Sequence, residues 1–171
     1  MPNWCEGTLR LRGKRKDIVK FLKDNIRRVG HVSDKFDTVD WPADVNEEDD
    51  GQSITVCRGN SNDDILTYDW FWIAGTHRNF IADNPIYIDM YGTEDKTYTV
   101  CIGGLHAAWG VEPEPYVAFS KKYGLDIKIF GSEQGMQFEQ CIEIINGKLV
   151  KDEEYRYEDW DWEAVNPNMG G

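Results

Sequence analysis

Two side chains of this 171-residue sequence could transfer protons: His106, which precedes Ala107, Ala108 and Trp109, and Glu133, in the turn sequence GSEQG. An imidazole and a carboxylate act as general acid and base when both reach one reacting group. Nothing local supplies a nucleophile or a metal beside either. A turn carboxylate ordinarily accepts backbone N–H groups, and a histidine here ordinarily finds a partner at a sheet edge, so the pair reads as structural. Cys5, Cys57, Cys101 and Cys141 lie far apart, and His31, His77 and His106 are equally scattered, so no zinc-ligand spacing occurs. Buried free thiols in a reducing compartment are expected rather than disulfides. Walker, HExxH and GxSxG motifs are absent. The expectation is a non-enzyme with no catalytic residue, metal or cofactor.

Charge is the strongest compositional signal. The formal net charge is −12, yet residues 1–35 hold ten Lys or Arg against four acids, which leaves nine against 27 for the rest. Such asymmetry predicts a basic helical face on a negative body. Two acidic runs stand out: DVNEEDDG over residues 44–51, read as a loop, and DEEYRYEDWDWE over residues 152–163. Rings set among carboxylates can bury against a partner while the acids meet its cations. Solvated faces that keep a small protein soluble are the plainer account of both.

The elements that must position these residues follow from periodicity and punctuation. Over Thr8–Arg12, Leu9 and Leu11 alternate with Arg10 and Arg12, as in a half-buried strand that Gly13 ends. From Lys14 to Arg28, Ile18, Val19, Phe21, Leu22 and Ile26 fall at helical spacing, and Gly30 is expected to close that helix. Pro113 and Pro115 predict a second helix start, and Gly124 after Lys121 and Lys122 its end. A strand over Ile127–Phe130 follows, with Gly131 and Gly135 bracketing a turn. Between the helices, SITVC and ILTYDWFWIA read as strands, and residues 86–91 and 97–102 as a hairpin through GTEDK. Tyr68, Trp70, Phe71 and Trp72 suit core and sheet surface better than a ligand-stacking platform. No apolar run approaches a membrane span, MPNWCEGTLRLRGK lacks a signal peptide's apolar core, and a cytoplasmic protein is expected. NPNMGG is expected to fray.

Four ordered segments, MPNWCEGTLRLRG, AGTHR at residues 74–78, AAWGVEPEP at 107–115 and KKYGLDIKIFGSEQGMQF ending at Phe138, resemble the YubB-like ferredoxin-like family of plasmids and bacteriophages. The likeness runs from Pro2 to about Ile145, departing at His77, Arg78, Glu112 and Glu114. It implies an α+β domain over residues 1–150: a ferredoxin-like split βαβ sheet, two helices on one face, and a β-rich insertion at about 31–103. Residues 151–171 form an acidic aromatic segment outside it. No catalytic residue carries over.

Three functions follow in order. The first is a non-enzymatic phage or mobile-element protein that inhibits a host defence nuclease in the manner of an anti-CRISPR, its acidic surface competing for a nucleic-acid groove. Its contacts would be Glu47, Glu48, Asp49, Asp50, Glu158, Trp160, Asp161 and Trp162, and its partner a basic host protein such as a CRISPR effector, with nucleic acid touched only indirectly or weakly and no membrane. The second is a nucleic-acid-binding module whose basic face is Arg10, Arg12, Lys14, Arg15, Lys16, Lys20 and Lys23. A small enzyme using His106 and Glu133 comes third.

Overall fold

A computed structural model describes residues 3–32, 38–48, 51–57, 65–93 and 95–164, with backbone alone at 31, 32, 38, 39 and 65–68. The chain runs β1 (Trp4–Lys14), α1 (Arg15–Asn25), β2 (Ile26–Val32), β3 (Thr38–Pro42), β4 (Asp44–Glu47), β5 (Ser53–Cys57), β6 (Ile65–Ile73), β7 (Asn79–Ile81) and β8 (Ile86–Asp89). It continues through β9 (Thr97–Ala108), α2 (Pro113–Tyr123), β10 (Asp126–Glu133), β11 (Phe138–Ile145), β12 (Lys148–Arg156) and the single turn α3 (Trp160–Glu163). Nine strands form one antiparallel sheet in the order β12-β11-β10-β1-β9-β7-β6-β2-β3, and β4-β5-β8 form a second.

This corrects the expected fold. The chain is mostly β, and its large sheet is not a ferredoxin-like α+β arrangement with two helices on one face. Residues 31–103 do not stand apart as an insertion. Strands β6 and β7 pair into the large sheet between β9 and β2, while the hairpin of β11 and β12 extends its other side. The expected 86–102 hairpin also fails, because β8 pairs with β5 and β9 pairs with β1 and β7. Helix α1 stops at Asn25, and the residues from Ile26 through Gly30 belong to β2. There Arg27 and Arg28 pair with Trp72 and Phe71 of β6, and cross-strand bonding overrides the helical spacing of Ile26.

The core lies on one face of the large sheet. Alternation along β1 buries Leu9 and Leu11, and the same face takes Ile102, Leu105, Ile127, Ile129, Ile142 and Ile144. Both long helices press aromatic side chains into it. Phe21 of α1 meets Phe119 and Tyr123 of α2 edge-on, at 5.5 and 5.6 Å between ring centroids. Asn25 donates to the Tyr123 hydroxyl (2.8 Å) and to the Phe21 carbonyl (2.9 Å). Helix α2 begins at Pro113 and ends as expected at Gly124, whose N–H donates to the Ser120 carbonyl at 2.9 Å and whose left-handed φ of 66° turns the next N–H, that of Leu125, back to the same carbonyl at 3.2 Å. No helix among the described residues is long and apolar enough to cross a membrane.

Candidate functional site

The other face of the large sheet carries a row of paired residues across seven strands. Ser132 of β10 faces Glu6 of β1, Glu6 faces His106 of β9, His106 faces Phe80 of β7, and Phe80 faces Trp72 of β6. Trp72 then faces Arg27 of β2, and Arg27 faces Pro42 of β3. Directly opposed residues share a face of an antiparallel pair, so these side chains stand side by side. Trp4 and Trp70 lie two positions before Glu6 and Trp72 and join them. Trp4 lies edge-on to Trp70 (5.3 Å) and Phe80 (5.9 Å), and Trp70 packs on His106 at 4.7 Å. All four rings are partly accessible.

Two strained residues complete this end of the sheet. Arg78 and Trp109 adopt φ of 59° and 63°, in the left-handed region that bulky side chains rarely enter. Surrounding bonds hold both there. Around Arg78, the Thr76 hydroxyl donates to the Ile73 carbonyl at 2.6 Å and buried Asn79 donates to the Tyr116 hydroxyl at 2.9 Å. The Arg78 carbonyl in turn accepts from Ala108 N–H at 3.3 Å. Trp109 N–H donates to the Asn3 carbonyl at 2.9 Å, and Gln140 brackets Val111 with bonds of 3.0 and 2.9 Å. As a result the Arg78 guanidinium lies 5.9 Å from the Trp4 ring and 5.5 Å from that of Trp109, whose side chain is 54% exposed. Beside it opens a largely apolar hollow of about 380 Å³ lined by Val29, Asp40, Trp72, Thr76, His77, Arg78 and Phe80.

His106 and Glu133 do not converge. Ser132 shares the row with Glu6 and His106, so Glu133, the next residue along β10, points to the buried face. Its carboxylate accepts from Gly135 N–H at 2.7 Å and from Met136 N–H. His106 sits on a central strand rather than an edge, with Nδ1 3.0 Å from the Gly104 carbonyl and Nε2 3.4 Å from Glu6. Burial, with the nearby charges of Glu133, Glu6 and Glu154, pushes the Cys5 thiol up to about 12. No cluster of three or more His, Cys, Asp or Glu able to hold a metal occurs among the described residues.

The expected acidic contacts are divided. Residues 44–47 form strand β4 rather than a loop, and Glu47 pairs with Arg15 and Lys23, at 3.3 Å each. Glu48 accepts from the Thr55 hydroxyl at 2.8 Å. Asp49 and Asp50 lie outside the described residues, as do the Tyr68 side chain and the terminal NPNMGG. In the C-terminal segment, residues 152–156 belong to strand β12 and Trp160 rests edge-on against Tyr157 at 5.3 Å. Glu158, Asp161 and Trp162 are exposed, Trp162 to 87%.

Burial raises the Glu47 carboxyl, but the hydrogen bonds and charges of Lys23 and Arg15 outweigh it and hold the group below its ordinary 4.5. A group whose folded pKa is depressed contributes stability above its unfolded pKa and loses it as pH falls through the folded value. Glu47→Gln should therefore lower stability at neutral pH and progressively less below about pH 4. Urea midpoints of parent and variant converging in acid would bear this out; a constant gap between them would refute it.

The basic residues occupy two surfaces. Arg10 and Arg12 stand on the open sheet face, Arg12 in a 2.7 Å bridge to Asp126. Lys14, Arg15, Lys16, Lys20 and Lys23 surround a concavity of about 490 Å³ beside α1, where Asp24, Glu47 and Asp95 offset them. Trp4, Arg78 and Trp109 are absent from the residues expected to bind. The sequence signal for Arg78 and Trp109 lies in AGTHR and AAWG, whose turns place an arginine and a tryptophan at one sheet end. No protein-family model, curated protein or solved structure matches this chain.

Proposed function

We propose that the protein binds single-stranded nucleic acid on the open face of its nine-stranded sheet. The observation that carries this is the Arg78 guanidinium flanked by the Trp4 and Trp109 rings, beside the hollow walled by Phe80 and Trp72. Unpaired bases stack on accessible rings whatever their sequence, and a guanidinium between rings meets the phosphate that links two stacked bases. A net charge of −12 opposes long-range attraction of a polyanion. Stacking does not depend on net charge, and Arg78 and Arg10 supply cations where the strand would lie.

The test is fluorescence anisotropy of labelled single-stranded and duplex oligonucleotides at low salt. The single strand should bind and the duplex should not, because paired bases cannot reach the rings. Two phosphate contacts predict a shallow log–log salt slope, about −1.4 at roughly −0.7 per contact. Equal duplex binding would overturn the proposal.

A second reading rests on the C-terminal segment: a non-enzymatic inhibitor of a host defence nuclease, anti-CRISPR-like, that presents anionic side chains to a basic groove. It is favoured by Trp162, almost fully exposed between Asp161 and Glu163, and by the likeness to a plasmid and phage family. The acids of β12 have a simpler role, since β12 is a sheet edge and charge plus a bulge at Val150 guard such an edge against unwanted pairing. Neutralising Glu158 and Asp161 together with Trp162→Ala should weaken capture of a basic nuclease at least tenfold while leaving oligonucleotide binding intact. Unchanged capture would remove this reading.

A further inference from the structure

Resting on the nucleic-acid reading above, we infer that the hollow beside Arg78 seats one unpaired base and selects bases that carry an exocyclic amine, cytosine, adenine and guanine, over thymine, which has none, through the Asp40 carboxylate. The walls determine the shape of the guest. Trp72 and Phe80 are register partners on neighbouring strands, and the Trp72 indole is held by its N–H bond to the Thr76 carbonyl at 3.3 Å. Val29 and the rings make the lining apolar, and about 380 Å³ accommodates a base with its sugar.

Charge narrows the guest further. Asp40 is the carboxylate on the wall, and Arg27 holds it by an Nε bond of 2.7 Å to Oδ2 and a longer bond to the Asp40 carbonyl. An aromatic hollow with one acid would by itself suit a cationic ligand, but Arg27 already balances that acid and Arg78 adds a positive charge at the rim. A cation is therefore disfavoured, while a neutral base with a trailing phosphate fits both groups. A carboxylate accepts from the N4 amine of cytosine, the N6 amine of adenine or the N2 amine of guanine, whereas thymine sets its O4 carbonyl oxygen where the amine of cytosine would stand.

The experiment titrates the full-length protein with labelled short homopolymers of deoxycytidine, deoxyadenosine and deoxythymidine at one low salt concentration, alongside Asp40→Asn and Arg78→Ala. The expected result is binding of the cytosine and adenine strands about tenfold tighter than thymine, within the range of a specific base contact. Asp40→Asn should bring the three affinities together, because an amide both donates and accepts. Arg78→Ala should weaken all three and preserve their ratio. If thymine binds as tightly as cytosine, and Asp40→Asn changes nothing while Trp109→Ala still weakens binding, the base selection is refuted and the stacking face stands. If no strand binds the parent protein, both fail. Circular dichroism of Asp40→Asn separates a lost preference from a lost fold, and an unfolded variant would be replaced by Asp40→Ser under the same expectation.

Discussion

Trp109→Ala is expected to weaken single-strand binding between about fivefold and 150-fold, the equivalent of losing one stacked base at roughly 1–3 kcal/mol. The size of the effect follows from position. Trp109 is more than half exposed, so its ring contributes little to the core, and its contact with the Arg78 guanidinium is the main thing the substitution removes within the protein. Its backbone is fixed by Asn3 and by the Gln140 bracket at Val111, so alanine should inherit the same turn. The melting temperature should therefore hardly change while affinity falls. Trp109→Phe, which keeps a ring, should recover most of the binding. Undiminished affinity in the alanine variant would locate the strand elsewhere.

Phe21→Ala is expected to destabilise the fold by about 3–5 kcal/mol, the usual consequence of emptying a large aromatic site in a closed core. Phe21 is fully buried and contacts Phe119 and Tyr123 of α2, so its ring joins the two long helices. Little nearby can collapse into the space, since Tyr123 is tied to Asn25 and Asp24 through its hydroxyl. A urea titration should show a lower midpoint at nearly constant slope. A loss below 1 kcal/mol would mean that the helices are held mainly by the sheet. For a domain of ordinary marginal stability, the expected loss approaches a large part of the total.

The elements were far more legible in the sequence than their arrangement. The αL cap at Gly124, the proline start of α2 and the alternation of Leu9 and Leu11 with Arg10 and Arg12 depend on neighbours within a few residues, and the structure shows each. Partner choice depends on distant residues. Nothing local to Asn79–Ile81 tells that this short strand joins β6 to β9, and it is this join that carries the row from His106 to Trp72. The same limit explains the helix drawn too long: Ile26 continues the helical stripe but is claimed by its pairing with Ile73.

The candidate site was legible only as scattered residue types. Periodicity separates Phe71, which is core, from Trp70 and Trp72, which are not, only once the outward face of β6 is known. Counting charge was misleading for Glu47, because a formal charge does not reveal that Arg15 and Lys23 already engage it. The left-handed conformations of Arg78 and Trp109 leave no mark in composition at all, since neither is a residue type that favours that region.

Strand β1 lies in the interior of the large sheet, yet both its partners come late: Arg12 pairs with Asp126, 114 positions further along. During synthesis β1 leaves the ribosome well before β9 and β10 and must wait, unpaired on both edges, until they have followed. Pairings of such range slow the search for the native state and leave sticky strands open to wrong company. Production at lower temperature or with chaperones, which shield that waiting strand, should raise the recovered fraction of soluble protein.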